Sequence, residues 1–315
     1  MISKSLWHIN KTLSEIRSEE IDDVVNNNQL ILYSEYSMIS TGTEYLVSSG
    51  LVDIEFKDKM KVPYMNGTFS LPIKYGYACC GKDANGNCYH FMHPHQSICA
   101  INKKDVFAIN DLDSKKVPLI SNMETVLNGI WDAELVGNEN IAVIGYGNIG
   151  SLLSRTLLVQ NNLKVTIIEK DKERLDLAKL HSYNTVNTLD ETYDVIYNTT
   201  GSSEVINVAL KHLKMDGKLI ELSWHANKTS SLKLGHHFHY NRLRIISSQV
   251  SNIPKIVKDK IDYNKRKEIA VELLKNSSYD ELITDIIDFN DAPEFFSKLR
   301  NNKISKGLIY LFKYN

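Results

Sequence analysis

The 315-residue sequence has no apolar run long enough to cross a membrane, and its first residues contain no secretory hydrophobic segment. Charge of neither sign dominates, because 37 basic residues are balanced by 38 acidic ones, so the net charge gives no argument for binding to nucleic acid or an anionic membrane. The sequence also lacks internal repeats and low-complexity segments. These absences predict a globular protein that is located in the cytoplasm and has no nucleic-acid or membrane partner.

Cysteine is scarce and confined to one part of the chain. The four cysteines are Cys79, Cys80, Cys88 and Cys99. Their spacing makes no CxxC pair, and two adjacent cysteines could not easily hold one metal ion in tetrahedral geometry. We therefore expect reduced, partly buried thiols.

The most informative stretch of the sequence reads NIAVIGYGNIG. An apolar, mostly β-branched run, Ile141–Ile144, leads into three spaced glycines and then into a segment with helical character. Gly145 would permit a sharp turn, Gly147 would leave room for a pyrophosphate, and Gly150 would let the helix lie close to the sheet. This strand, turn and helix predict a dinucleotide-binding site.

The next apolar run, Val165–Ile168, ends in Glu169. At this distance from the glycines, a carboxylate accepts hydrogen bonds from the adenosine ribose. The same carboxylate would repel a 2′-phosphate, so we predict NAD as the cofactor rather than NADP. The alternative is an ordinary strand–turn–helix unit with a solvated glutamate.

The pattern of short runs divides the chain into three parts. Residues 1–115 contain short alternating runs separated by turn residues, which indicate a β-rich domain. Residues 116–266 alternate strands with helices, which predicts right-handed crossovers and a doubly wound parallel sheet. Residues 267–315 are interpreted as a return to the first domain. The expected fold class is therefore α/β.

The motifs ISTGTE, LPIKYGYACCG, IAVIGYGNIG and YDVIYNTTG, in this order, resemble the medium-chain dehydrogenase/reductase superfamily over nearly the whole chain. Its members have a GroES-like catalytic domain and a Rossmann NAD-binding domain. More narrowly, ISTGTE, HPHQ and FHYNRLRIISSQVS are similar to a zinc-type alcohol dehydrogenase-like subgroup, which is itself similar in part to bacteriochlorophyllide dehydrogenase. The resemblance implies an NAD(P)-dependent oxidoreductase that acts on a small-molecule substrate and forms a homodimer.

The zinc ligands of that family have no counterpart in this sequence. Thr41 stands where zinc-binding members have a ligating cysteine, and Tyr77 and Ala78 replace the histidine and glutamate of their GHExxG motif. The third ligand position falls at Ser121 or Asn122, and the four-cysteine lobe for structural zinc is absent. We therefore predict a zinc-independent enzyme with no metal ligands.

Hydride transfer without a metal requires a hydrogen-bond donor or a positioned acid at the substrate oxygen. Thr43 matches the proton-relay hydroxyl of the family, and its alternative role is a turn residue bonded to local backbone. Tyr77 replaces a ligand and offers a phenol donor, or else it is a packing aromatic. Glu124 would act as an acid or base if burial raised its pKa, or else it is a charge favoured by the helix dipole.

Further polar residues each have two alternative roles. One of His93 and His95 is a possible proton donor, although we favour a structural role for the pair. The sequence HHFH is interpreted as a loop near the nicotinamide pocket rather than a metal tract. Arg242 either binds an anionic group of the substrate or belongs to a solvated basic surface.

The predicted cofactor-binding residues are the turn glycines, backbone N–H donors at the start of the following helix, one carboxylate and two residues at strand ends. They are Gly145, Gly147, Asn148, Ile149, Gly150, Glu169, Thr199 and Ser223.

The predicted function is hydride transfer between NAD and a secondary alcohol or its ketone. One alternative is an enone- or quinone-type reductase that acts on a carbon–carbon double bond conjugated to a carbonyl group. The other alternative belongs to a different class, a catalytically inactive NADH-binding sensor or scaffold.

Overall fold

A computed structural model describes residues 1–22, 26–56, 58–161 and 163–315. The described chain forms two compact units. The first unit comprises Met1–Ser121, Ile283–Ser305 and Ile309–Asn315, and the second comprises Asn122–Leu282 and Lys306–Leu308. Within the described residues, no helix has the length and apolar character needed to span a membrane.

The described strands are β1 (Ile2–His8), β2 (Ser14–Glu20), β3 (Gln29–Ile39), β4 (Asn66–Gly67), β5 (Ile73–Lys74), β6 (Cys79–Lys82), β7 (Cys88–Phe91), β8 (Ile98–Asn102), β9 (Val106–Ile109), β10 (Ile141–Ile144), β11 (Val165–Ile168), β12 (Asn184–Val186), β13 (Tyr193–Asn198), β14 (Leu213–Glu221), β15 (Arg244–Ser247), β16 (Ile283–Asp288) and β17 (Ile309–Lys313). The α-helices are α1 (Thr41–Ser48), α2 (Ile120–Asp132), α3 (Asn148–Asn161), α4 (Lys172–Leu180), α5 (Ser203–Lys211), α6 (Tyr263–Leu274) and α7 (Ala292–Arg300).

The first unit is built on two sheets. The larger sheet has the order β16-β17-β3-β6-β7-β9, with β8 also paired to β3, and the smaller sheet has the order β2-β1-β5-β4. Strand β17 runs antiparallel to β3, with Tyr310 opposite Ile39. The last strand of the chain therefore completes a sheet that begins near its start.

Helix α7 supplies much of the core of the first unit. Pro293 lies in its first turn, where its missing N–H has no intrahelical partner to lose. Phe295, Phe296 and Leu299 lie on one helix face and pack in a buried cluster that also contains Phe312. Burial of this face stabilises the helix.

The second unit contains a six-stranded sheet in the order β12-β11-β10-β13-β14-β15, and every pairing in it is parallel. Strands β10 and β11 are buried at every residue, as expected for a parallel sheet. The strand order reverses between β10 and β13, the point where open sheets of this kind bind ligands. The predicted fold class is confirmed.

Candidate functional site

The glycine-rich turn follows β10 at the point where the strand order reverses. Gly145 has φ +95°, and its N–H donates to Ile168 O at 2.8 Å. A Cβ on Gly150 would lie 2.0 Å from Gly145 O, so no other residue fits there without a shift of the backbone. The Thr199 hydroxyl, at the end of β13, donates to Ile144 O at 2.9 Å. Two adjacent strand ends and the turn are therefore held together.

The second glycine of the turn borders open space. Among the described residues, a Cβ built on Gly147 would have only the Arg174 side chain within 4 Å, with Nη1 at 3.7 Å. Helix α3 begins one residue later, at Asn148. Its first N–H groups, including that of Ile149, form the positive end of a helix dipole. The space and the donors fit a diphosphate group.

A carboxylate and a guanidinium flank this turn. Glu169 Oε2 accepts a hydrogen bond from the Tyr146 N–H at 2.8 Å. Its Oε1 accepts from the N–H groups of Lys170 and Asp171 at 2.7 and 3.0 Å. These bonds direct the carboxylate toward the turn and leave Oε2 able to accept a second hydrogen bond, such as one from a ribose hydroxyl. Arg174 brings positive charge to the same place.

Polar side chains also gather at the carboxyl ends of β13 and β14. Asn198 Nδ2 donates to Glu221 Oε2 at 2.7 Å, and Ser223 Oγ accepts from the Gly201 N–H at 2.9 Å. His225 Nε2 lies 3.4 Å from Glu221 Oε1. Among the described residues, neither buried ring nitrogen of His225 has a hydrogen-bond partner. This imidazole therefore retains capacity to bind a ligand at the sheet edge.

In the first unit, the structure brings together two of the three predicted catalytic residues. The partly buried Tyr77 phenol makes hydrogen bonds with the side chains of Thr43 and Ser40. Burial raises the pKa of Tyr77 to about 12, although these two hydrogen bonds oppose the increase. The phenol therefore keeps its proton at neutral pH and is a hydrogen-bond donor.

A buried network anchors the start of α1 beside this hydroxyl pair. Glu44 Oε1 accepts from the Ser40 N–H at 2.8 Å, and Glu44 Oε2 accepts from His95 Nε2 at 2.8 Å. The other ring nitrogen of His95 lies 2.7 Å from Ser37 Oγ, which lies 2.8 Å from the Tyr314 hydroxyl. Glu44 and His95 are 1% and 0% exposed, so this network is shielded from water.

The third predicted catalytic residue, Glu124, lies within α2 in the second unit. Its Oε1 accepts from Arg266 Nε at 3.1 Å, and its Oε2 accepts from Lys267 Nζ at 2.5 Å. Arg266 also donates to Asn128 Oδ1 at 2.7 Å and to Val250 O at 2.9 Å. These contacts join α2 to α6 and favour a structural role for Glu124.

The positions where the resemblance places metal ligands carry a hydroxyl, a phenol and a methyl group. Thr41, Tyr77 and Ala78 offer no thiolate, imidazole or carboxylate. Ser121 Oγ donates to Tyr77 O at 3.0 Å and lies 2.9 Å from His90 Nε2. In the part of the chain that the structure describes, no group of three or more His, Cys, Asp or Glu side chains could hold a metal ion.

The remaining polar residues that the sequence suggested each have different surroundings. His93 is buried, its Nδ1 lies 2.9 Å from Pro94 O, and burial lowers its pKa to about 4. Arg242 is largely exposed and forms an ion pair with Asp216 at 2.9 Å. The histidines of HHFH are exposed or partly exposed.

Sequence reasoning did not identify several residues of these clusters. Glu44 was given no role in the ISTGTE motif, although it follows Thr43 directly. Arg174 lies one helical turn past the strand end at Glu169, and His225 follows the end of β14. Arg174 and His225 each lie shortly after a strand of the parallel sheet, and this position in the sequence could have identified them.

Comparisons with known proteins support this description of the fold. The family model described as the TrkA-N domain, a nucleotide-binding domain, matches residues 141–209. D-guloside 3-dehydrogenase of Escherichia coli (strain K12) is 22% identical over 214 residues, covering 60% of this chain and 61% of that protein. The match thus spans less than two thirds of this relative's length.

Solved structures match over nearly the whole chain. Galactitol-1-phosphate dehydrogenase from Escherichia coli has a TM-score of 0.78 at 15% identity, covering 98% of this chain and 99% of that chain. The chain has the fold of the medium-chain dehydrogenases. Acetophenone reductase from Geotrichum candidum in complex with NAD gives 0.78 at 13% identity, covering 99% and 97%. TarJ of S. aureus in complex with NADPH gives 0.71 at 14% identity, covering 100% of both chains. Both forms of the cofactor therefore occur among solved proteins of this fold.

Proposed function

We propose that this chain is an NAD(H)-dependent, zinc-independent oxidoreductase that transfers hydride between nicotinamide and a secondary alcohol or its ketone. The observation that carries the proposal is the Thr43–Tyr77 hydroxyl pair, which stands where the resemblance predicts metal chemistry. Hydroxyl donors can stabilise the negative charge that develops on a carbonyl oxygen during reduction. The dehydrogenases among its relatives support the reaction class.

The cofactor would be held by the second unit. The α3 N–H groups that follow Gly147 would bind the diphosphate, and the free acceptor capacity of Glu169 would bind a ribose hydroxyl. When bound, the nicotinamide would supply or accept the hydride. Thr199 and Ser223, which are fixed at the strand ends, would line the same crevice.

In the first unit, Tyr77 and Thr43 would act on the substrate oxygen. Tyr77 would donate a hydrogen bond to the carbonyl oxygen because its pKa of about 12 keeps the phenol protonated. As the oxygen gains charge, the Thr43–Tyr77 pair would deliver the proton that completes the alcohol, and Ser40 would support the phenol. Glu124 is reassigned in this proposal to joining α2 and α6.

The decisive experiment compares Tyr77→Phe and Thr43→Val with wild-type protein on a panel of secondary alcohols, ketones and enones. Loss of one donor should lower kcat by roughly 10²–10³-fold with little change in NADH affinity. Tyr45→Phe removes the same hydroxyl from a partly exposed position on α1 and should retain full activity.

Other outcomes would replace the proposal. Turnover of enones alone would support the double-bond reductase, and NADH binding without any turnover would support the sensor. Stoichiometric zinc in the purified protein, measured by mass spectrometry of the metal, would contradict zinc independence.

The choice of NAD is tested separately by calorimetric titration with NADH and NADPH. Glu169 should weaken NADPH binding by repelling the 2′-phosphate, while Arg174 would attract it. Glu169→Ala should therefore narrow the preference for NADH, and Arg174→Ala should widen it. An unchanged preference in Glu169→Ala would refute the assignment of Glu169.

We further propose a homodimer, following the family resemblance. Strand β15 lies at an edge of the second unit's sheet, where edge-to-edge pairing of two copies would continue the sheet. Light scattering should give twice the mass of the 35.9 kDa chain, and a monomeric mass would refute the dimer.

A further inference from the structure

Two cysteines in the first unit lie side by side outside the proposed site. Cys80 on β6 and Cys88 on β7 have sulfur atoms 3.6 Å apart. Cys88 is opposite Lys82 in this antiparallel pair, so Cys80 and Cys88 occupy the same sheet face on a diagonal. All four cysteines of the chain are free thiols.

The surroundings make the two thiols chemically different. Cys88 is partly exposed, whereas Cys80 is buried. The pKa of Cys88 is lowered, chiefly by a hydrogen bond from Cys80, and the pKa of Cys80 is raised by the same interaction and by burial. The Ser114 side chain bonds to both thiols, and the Lys82–Glu35 ion pair, at 2.7 Å, adds a nearby carboxylate that raises the pKa of Cys88 and a nearby cation that lowers it. Cys88 therefore ionises first and can be reached from solvent.

The other two cysteines lack these features. Cys79 and Cys99 are fully buried, and burial raises the pKa of both thiols. They pack with Leu32 and Phe91 in the core of the first unit. They provide an internal comparison for the reactivity of Cys80 and Cys88.

We propose that Cys80 and Cys88 form a reversible dithiol–disulfide site that small hydroperoxides oxidise and external thiols reduce. The pair is a redox modification site and does not depend on the proposed dehydrogenase function. Its sulfur atoms must approach from 3.6 Å to about 2 Å to form a bond, and this movement falls to Cys88, which is partly exposed, rather than to the buried Cys80.

The proposed oxidation has two balanced steps. The Cys88 thiolate attacks a peroxide oxygen, the O–O bond breaks, and the departing oxygen takes a proton to leave as water or an alcohol. The Cys80 sulfur then attacks the sulfenic acid on Cys88, loses its proton and displaces hydroxide, which leaves as water. The two thiols lose two electrons, which the peroxide gains.

The test uses the full-length protein, which is reduced, desalted and treated with small molar excesses of hydrogen peroxide. Free thiols should fall from four to two, and the intact mass should fall by about 2 Da as two hydrogens are lost. Trypsin should release residues 75–82 linked to residues 83–103, with fragmentation placing the bond at Cys80 and Cys88. Dithiothreitol should restore four thiols.

Single substitutions distinguish this pair from its neighbours. Cys88→Ser and Cys80→Ala should each abolish the linked peptide, whereas Cys99→Ala should retain it. Three results would overturn the proposal: a link that uses Cys79 or Cys99, a sulfinic acid on Cys88 without a link, or four unreacted thiols under peroxide that oxidises a free cysteine peptide.

Discussion

Replacing Glu124 with alanine distinguishes a structural role from the catalytic role that the sequence suggested. Glu124 is 5% exposed and Arg266 is 3% exposed, so the substitution leaves a buried guanidinium without its carboxylate. Removing one partner of a buried ion pair costs about 3–5 kcal/mol of unfolding free energy. Arg266 keeps its bonds to Asn128 and Val250, and Lys267 is partly exposed, so we expect the lower end of this range.

The loss should appear as reduced stability of the second unit. At about 3 kcal/mol, the melting temperature should fall by roughly 6–12 °C, from about 2–4 °C per kcal/mol for units of this size. Tryptophan fluorescence can follow urea unfolding, because Trp131 and Trp224 lie in the second unit and Trp7 lies in the first. Circular dichroism gives an independent measure of helix loss.

Glu272→Ala provides the matched control. Glu272 lies on the same helix α6 as Arg266, forms an ion pair with Lys275 and has a side chain that is 75% exposed. Its removal should change stability by less than about 0.5 kcal/mol. A Glu124→Ala protein of wild-type stability whose kcat falls more than about 100-fold would refute the structural role and restore the catalytic one.

Three further predictions concern other parts of the chain. The pKa of His93 is lowered from 6.5 to about 4 in the folded state, so the unfolded chain binds more protons as pH falls through this window. As the pH falls from 6.5 to about 4, the free energy of unfolding should decrease by roughly 3 kcal/mol from this residue alone. His93→Asn should therefore flatten the pH dependence of the urea midpoint. Glu44→Gln should destabilise the first unit by about 1–3 kcal/mol and lower kcat, because the amide offers one acceptor oxygen where the carboxylate offers two, so either the Ser40 N–H or His95 loses its acceptor; unchanged urea midpoints would disprove the anchoring role. Gly150→Ala should lower stability by about 1–3 kcal/mol or more and abolish NADH binding, because its Cβ would collide with backbone oxygen. The control Gly42→Ala, in open space on α1, should be neutral or stabilising, and calorimetric NADH binding by Gly150→Ala would contradict the close approach.

The sequence allowed prediction of those elements whose signals are local. The strands Ile141–Ile144 and Val165–Ile168 have the predicted bounds. Their apolar runs are short and end at a glycine or at a charged residue. Because β-branched runs alternating with helices indicate parallel strands, the α/β fold class could also be predicted.

The partners of buried charges could not be predicted in the same way. Glu124 bonds Arg266 across 142 positions in the chain, and Glu44 bonds His95 across 51. Neither pair has a spacing that local periodicity describes, because topology rather than helix or strand geometry brings them together. The sequence therefore suggested a catalytic Glu124, although both of its oxygens are engaged in ion pairs.

The proposed chemistry explains why the buried Glu44–His95 hydrogen bond would lie beside the hydroxyl pair. A metal ion fixes a substrate oxygen by direct coordination, whereas hydroxyl donors must be held in place by the protein before charge develops. Glu44 holds the Ser40 backbone at the start of α1, and His95 holds Glu44 through a contact from which water is excluded. Restricting this segment limits the motion of Thr43 and of the phenol bonded to it. A zinc-independent site in this fold would therefore require a rigid anchor under α1, and the Glu44–His95 pair meets that requirement.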